Sequence, residues 1–196
     1  MRMLLASIAA VILTLPAGAA PITPVDRQHL LAHLAMTESW LANELARLTP
    51  AQQTFRRAPG TWHILDVVEH LAVAEPQYWK MVQDSMAQPP SAAGISATDA
   101  DILWYGIDRT RRDRTGEARE PRGKYKDVPS ALQDFRTLRA TITAFATDTQ
   151  DDLRGRKLVE GNMSVYQWLL MISTHSQRHI LQIREIKDAA GFPAGK

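Results

Sequence analysis

The chain is 196 residues long and 45% hydrophobic, enough for one domain with a real core. It contains no Cys, which excludes disulfides, thiolate ligands and a cysteine nucleophile, so any metal must be held by His and carboxylate. Its 23 Lys and Arg nearly balance 21 Asp and Glu, a distribution without the electrostatic footprint of a nucleic-acid binder.

Residues 1–20, MRMLLASIAAVILTLPAGAA, have the form of a secretory signal peptide. Arg2 supplies the positive start, Met3 to Leu15 the apolar middle, and Ala17-Gly18-Ala19 a small-residue cleavage site. The apolar run is short for a spanning helix, which needs about 20 residues. The expectation is a secreted or periplasmic protein whose mature domain covers 21–196, with no stable membrane insertion after processing.

The mature chain enters a helix at once. Thr23 can cap it, Pro24 suits the first position, and Asp26 completes a T-x-x-D box. Leu30, Leu34, Leu41, Leu45 and Leu48 form its buried stripe, ending before Pro50. His29 and His33 lie about 100° from that stripe and read as exposed or boundary residues, with Trp40 on their side. Glu38, near the stripe, is a candidate acceptor for a buried imidazole or an edge carboxylate reaching water.

Pro59-Gly60 closes a connection, and Thr61 is expected to cap a second helix. Ile64, Val67, Leu71, Ala74 and Tyr78 share a face, with His70 on its flank about 60° from Val67. His63 lies about 10 Å further along the axis and reads as a first-turn residue near the surface. Pro76 should bend or interrupt this helix.

Residues 85–128 are the least regular stretch. Thr98 and Asp101 can start a short helix carrying Ile102, Leu103, Trp104 and Ile107. From Asp108 to Lys126 there are eight basic and four acidic residues, whose mixed signs favour a solvated loop over a nucleic-acid patch. Such an insertion could lie over the mouth of a bundle and shape a substrate site, with Trp104 as the residue to watch. Pro129 and Ser130 then open a third long helix to about Thr147, with Phe135, Leu138, Ile142 and Phe145 as its buried stripe.

The last long helix begins at the capping box Ser164/Gln167 and stops at Gly191 and Pro193. Val165, Trp168, Ile172, Ile183 and Ile186 gather on one face, and His175 and His179 fall within it. At i,i+4 spacing two imidazoles lean the same way, about 5–6 Å apart at Cβ. Burying such groups without partners costs on the order of 1–3 kcal/mol each, so they need either ordinary acceptors or a shared cation.

Four amphipathic helices and one long middle connection describe an all-α four-helix bundle. His70 from the second helix joins His175 and His179 from the fourth as inward-leaning imidazoles. Pro59-Gly60-Thr61-Trp62 leading to Val67-Val68-Glu69-His70-Leu71, followed late by Thr174-His175-Ser176-Gln177-Arg178-His179-Ile180-Leu181-Gln182-Ile183, resembles the DinB-like family, the DinB/YfiT superfamily, over about 25–188. The resemblance implies an up-down-down-up bundle holding a divalent metal through His70, His175 and His179. It further implies a thiol S-transferase or a metal-dependent isomerase or hydrolase.

Imidazole suits Zn, Ni or Fe, so the metal's identity stays open. The export signal favours hydrolysis of an unknown small molecule over transfer to a cytosolic thiol. Glu69 and Glu38 are candidate bases or acceptors, and Gln182 a candidate partner for a ligand or substrate. The alternatives are a non-catalytic metal-binding module and a homodimeric interaction module. No nucleophile elbow, phosphate loop or nucleotide fingerprint is present.

Overall fold

The structure is a computed structural model that describes residues 21–112 and 115–195; residues 1–20, where a signal peptide is expected, lie outside the described residues. Among the described residues, six α-helices follow in order: α1 (Pro24–Leu45), α2 (Pro50–Gln53), α3 (Ile64–Met86), α4 (Asp99–Ile107), α5 (Val128–Asp148) and α6 (Val165–Lys187). None is long and apolar enough to cross a membrane.

Most starts are set by local chemistry. Thr23, Thr98 and Ser164 each accept the N–H three residues on, as their capping signatures predict. The start of α3 differs from expectation. The Thr61 hydroxyl turns back to donate to the Ala58 carbonyl at 2.7 Å. His63 is the cap instead: its Nδ1 accepts the Asp66 N–H at 2.9 Å, and the Asp66 carboxylate accepts the His63 N–H at 3.1 Å. An imidazole here does the work usually given to a hydroxyl, and burial holds its pKa below the ordinary value, in keeping with an acceptor nitrogen. Pro76 does not end the helix, which runs on to Met86. The first helix is shorter than its leucine stripe suggested. Ala46 is extended and Arg47 left-handed, and Leu48 packs back from the loop.

The four long helices form a bundle in which α1 and α3 each touch both α5 and α6. Side-chain pairs fix the directions. Tyr166 reaches Asp26 at one end and Arg184 reaches Glu44 at the other, so α1 and α6 run parallel. Arg27 donates to Ala146 at the far end of α5, so α1 and α5 are antiparallel. Tyr78 meets Trp168 while His70 meets His179, so α3 and α6 are antiparallel. The topology is up-down-down-up. The parallel neighbours α3 and α5 need a long crossover, and residues 87–127 supply it. Its helix α4 lies on α6 at Gly106, where an added Cβ would stand 2.9 Å from Thr174 Cβ.

The core is divided. One apolar cluster holds Leu41, Leu45, Val67, Leu71, Phe135 and Ile183; the other holds Leu30, Leu34, Val82, Ile142, Leu169 and Ile172. Between them lies a buried polar layer. Arg139 of α5 pairs with Glu75 of α3 at 2.6 Å, both side chains fully shielded from water. Ser176 of α6 donates to the same carboxylate oxygen at 2.6 Å, and Arg139 also reaches Thr37 of α1 at 3.3 Å. Burial pushes the Glu75 carboxyl up, and the Arg139 charge opposes it. This layer joins all four helices through polar contacts.

Removing one partner strands the other charge in the core, typically at a cost of about 3–5 kcal/mol. Arg139→Met is therefore expected to lower unfolding free energy by about that much in urea titrations. The double variant Arg139→Met/Glu75→Gln is expected to recover most of the loss. Additive losses would show that the two groups are not coupled.

Candidate metal centre

The three inward-leaning histidines converge. His70 on α3 and His175 and His179 on α6 are 2%, 5% and 9% exposed. His70 Nε2 and His179 Nε2 each stand 3.2 Å from His175 Nε2. Three nitrogens held about 2.0–2.1 Å from one tetrahedral zinc would lie roughly 3.3–3.4 Å apart, so the observed spacing fits a shared cation.

The outer nitrogens show which atoms carry protons. His70 Nδ1 is 2.7 Å from the Arg119 carbonyl, which can only accept, so the proton sits on Nδ1 and Nε2 is bare. His179 Nδ1 stands 2.8 Å from Gln182 Oε1, and donation to that oxygen leaves its Nε2 bare as well. Two lone pairs thus face His175 Nε2, which can donate a proton to only one of them. Its own Nδ1 is buried without a partner among the described residues. A cation at the convergence point would satisfy all three Nε2 atoms.

The rings are also held neutral. Burial lowers the pKa of His70, and it lowers those of His175 and His179 well below the ordinary value, with the neighbouring imidazoles adding repulsion. Neutral imidazole is the metal-binding form.

A cleft of about 570 Å³ opens onto the histidines. Trp62, 5.0 Å from the His70 ring, forms one wall. Tyr78 forms another, its ring edge-on to His175 at 5.2 Å, and burial raises its hydroxyl pKa. The connection between α4 and α5 supplies a further part of the rim, from Arg109 to Glu120. Its short 3-10 turn, Glu117–Arg119, contributes the carbonyl that holds His70. The side chain of Arg119 turns toward Tyr78, 5.4 Å from the ring centre.

Other candidate residues lie elsewhere. Glu69 is 2% exposed and accepts the Arg122 N–H at 2.6 Å, so it anchors the connection and is not hydrogen-bonded to a histidine of the cluster. Glu38 pairs at the surface with Arg136 at 3.7 Å. His29 is exposed. His33 is half-buried, with Nδ1 2.7 Å from the Ser173 hydroxyl. Trp40 is 37% exposed, and Trp104 is 64% exposed and does not line the cleft, whereas its neighbour Tyr105 does. Sequence reasoning missed Tyr78 and Arg119 as site residues. Tyr78 had a signal, since it lies two turns beyond His70 on the same helix; Arg119 had none beyond the basic run.

Comparison with known proteins agrees with this fold. A model described as the DinB superfamily matches residues 32–183. The uncharacterized protein YuaE of Bacillus subtilis (strain 168) is 24% identical over 157 residues, covering 79% of this chain and 93% of its own length. The solved structure of YfiT from Bacillus subtilis, described as a probable metal-dependent hydrolase with an unusual four-helix bundle topology, superposes with a TM-score of 0.57 at 18% identity. That match covers 88% of this chain and 91% of YfiT, and it extends the likeness of fold. With the family match spanning most of its length and three buried histidines in place, the chain belongs to the DinB superfamily.

Proposed function

We propose that the protein is an exported metal-dependent hydrolase, with His70, His175 and His179 as the ligands of one divalent ion. The observation that carries this reading is the convergence of three Nε2 atoms below an open cleft. Three protein ligands with a side left free is the form of a catalytic site, since structural zinc sites close all four positions. The description of YfiT as a probable metal-dependent hydrolase supports the reaction class. A divalent metal bound there supplies Lewis acidity, polarising a substrate oxygen and acidifying water.

The chain's own residues have separate tasks. The Arg119 carbonyl and Gln182 orient two imidazoles and keep their Nε2 atoms unprotonated. Trp62 and Tyr78 wall the cleft and limit water around the reacting atoms. With Glu69 and Glu38 committed elsewhere, Glu120 is the carboxylate lining the cleft among the described residues, and it is our candidate for the group that accepts a proton from the hydrolytic water. Export rests on the signal-like residues 1–20, and N-terminal sequencing of the protein recovered outside the cytoplasm is expected to begin near Ala20.

Elemental analysis of the purified protein is expected to find a stoichiometric divalent ion. His70→Ala, His175→Ala and His179→Ala should each lose it together with any hydrolytic activity found by substrate screening. Retention of metal by all three variants would sink the assignment. Gln182→Ala should keep the site but bind the ion about 10–100-fold more weakly, measured by chelator competition.

The depressed imidazole pKa values also set a pH dependence for the metal-free protein. Below the unfolded value of about 6.5, the unfolded chain takes up protons that the folded histidines refuse. Their contribution is present above about pH 6.5, and stability falls as pH drops below it, by up to about 1.4 kcal/mol per pH unit for each imidazole. Urea unfolding of chelator-treated protein from about pH 7.5 to 5 should show this slope, and His175→Asn should make it shallower by removing one of the three contributions.

A further inference from the structure

We infer that the substrate of this site is an anion, a small molecule carrying a carboxylate or phosphoryl group that is gripped by the arginines around the cleft while its reacting bond lies at the three histidines. This names the substrate class for the hydrolase reading above and rests on it. Arg57, Arg109, Arg112, Arg119 and Arg178 all line the cleft, against Glu120 as the carboxylate among the described lining residues. They come from three separate stretches: the loop before α3, the connection after α4, and α6 itself. The basic run between α4 and α5 therefore does not simply face solvent, because three of its arginines line the cleft that opens onto the histidines.

Among the described residues, the internal partners of these arginines leave much of their charge uncompensated. Arg57, Arg109 and Arg112 all converge on Glu185, at 3.4, 2.9 and 3.7 Å. One carboxylate thus serves three guanidinium groups. Arg119 has no carboxylate partner among the described residues, and its side chain rests over the Tyr78 ring. Arg178 is spoken for in another way. It donates to the carbonyls of Tyr105, Asp108 and Arg111 and so clamps the connection onto α6, which makes it a support for the rim.

Like charges held together repel one another, and a cleft that focuses their field raises the local concentration of anions. Guanidinium groups also match the two oxygens of a carboxylate or phosphoryl group through paired N–H donors. Trp62 and Tyr78 offer flat apolar surfaces beside this charge, suited to the body of a small organic anion rather than to a bare inorganic ion. Arg119 and Arg112 are the groups best placed to exchange solvent for substrate. Among the described residues the first has no carboxylate partner, and the second is 65% exposed with a 3.7 Å contact to Glu185.

The test is calorimetric titration of the zinc-loaded and metal-free protein with succinate and with inorganic phosphate, repeated for Arg119→Gln, Arg119→Lys and Arg112→Gln. Binding of at least one anion is expected, weakened about tenfold or more in Arg119→Gln, less in Arg119→Lys, and reduced by added salt. Arg119→Gln leaves intact the backbone carbonyl that holds His70, and the exposed Arg112→Gln does not threaten folding. Zinc content is expected to be unchanged in all three variants. Phosphate binding without succinate binding would assign a phosphoryl group, and the reverse a carboxylate.

Zinc binding with no affinity for either anion, or with the same affinity in every arginine variant, would overturn the anionic substrate and leave the metal reading standing. Arginine-dependent anion binding by a protein that holds no zinc would uphold the anion site and overturn the metal reading.

Discussion

The Ser176–Glu75–Arg139 contact is the constraint on which the site depends. Ser176 follows His175 directly in α6, and Glu75 lies little more than a turn beyond His70 in α3. Their 2.6 Å hydrogen bond fixes how far α6 can slide along α3, and the Arg139 pair fixes both against α5. Leucine and isoleucine packing alone tolerates sliding and repacking. A buried carboxylate does not tolerate it, because losing its partners leaves a charge in a low-dielectric interior. The polar layer that divides the two apolar clusters thereby sets the register that brings three imidazoles within reach of one another.

Much of the architecture was legible in local signals. Capping boxes at Thr98 and Ser164 mark helix starts because they depend only on residues three apart. The leucine and isoleucine stripes of α1 and α6 are buried where 3.6-residue periodicity puts them, apart from Leu48, which packs from a loop. The histidines were readable for the same reason, since an i,i+4 pair on a buried stripe has one direction to point. What failed were the readings that depend on tertiary partners. His63 became a cap through the nitrogen of its ring, and Glu69 accepts a backbone N–H from 53 residues away in place of a histidine of the cluster.

The polar layer itself had a signal that periodicity could have exposed. Arg139 falls between Phe135 and Ile142 at steps of four and three, inside the stripe, and Glu75 occupies the equivalent place between Leu71 and Val82. A charged residue in a buried stripe demands a partner of opposite sign on a facing helix, and these two answer each other. The arginines around the cleft gave no such hint. The basic run looked like solvated surface because Glu185, which draws Arg109 and Arg112 toward the bundle, lies more than seventy residues further on.

His70 donates its outer hydrogen bond to a backbone carbonyl of the α4–α5 connection, not to the bundle. Seating of that segment and affinity for any ion at the histidines are therefore thermodynamically linked. Each favours the other by the same factor, whichever comes first. A cofactor arriving at this centre would help fasten the rim above it, and a partner or protease that lifted the rim would loosen the grip on the cofactor by an equal measure. The long crossover imposed by parallel α3 and α5 is in this sense also a latch.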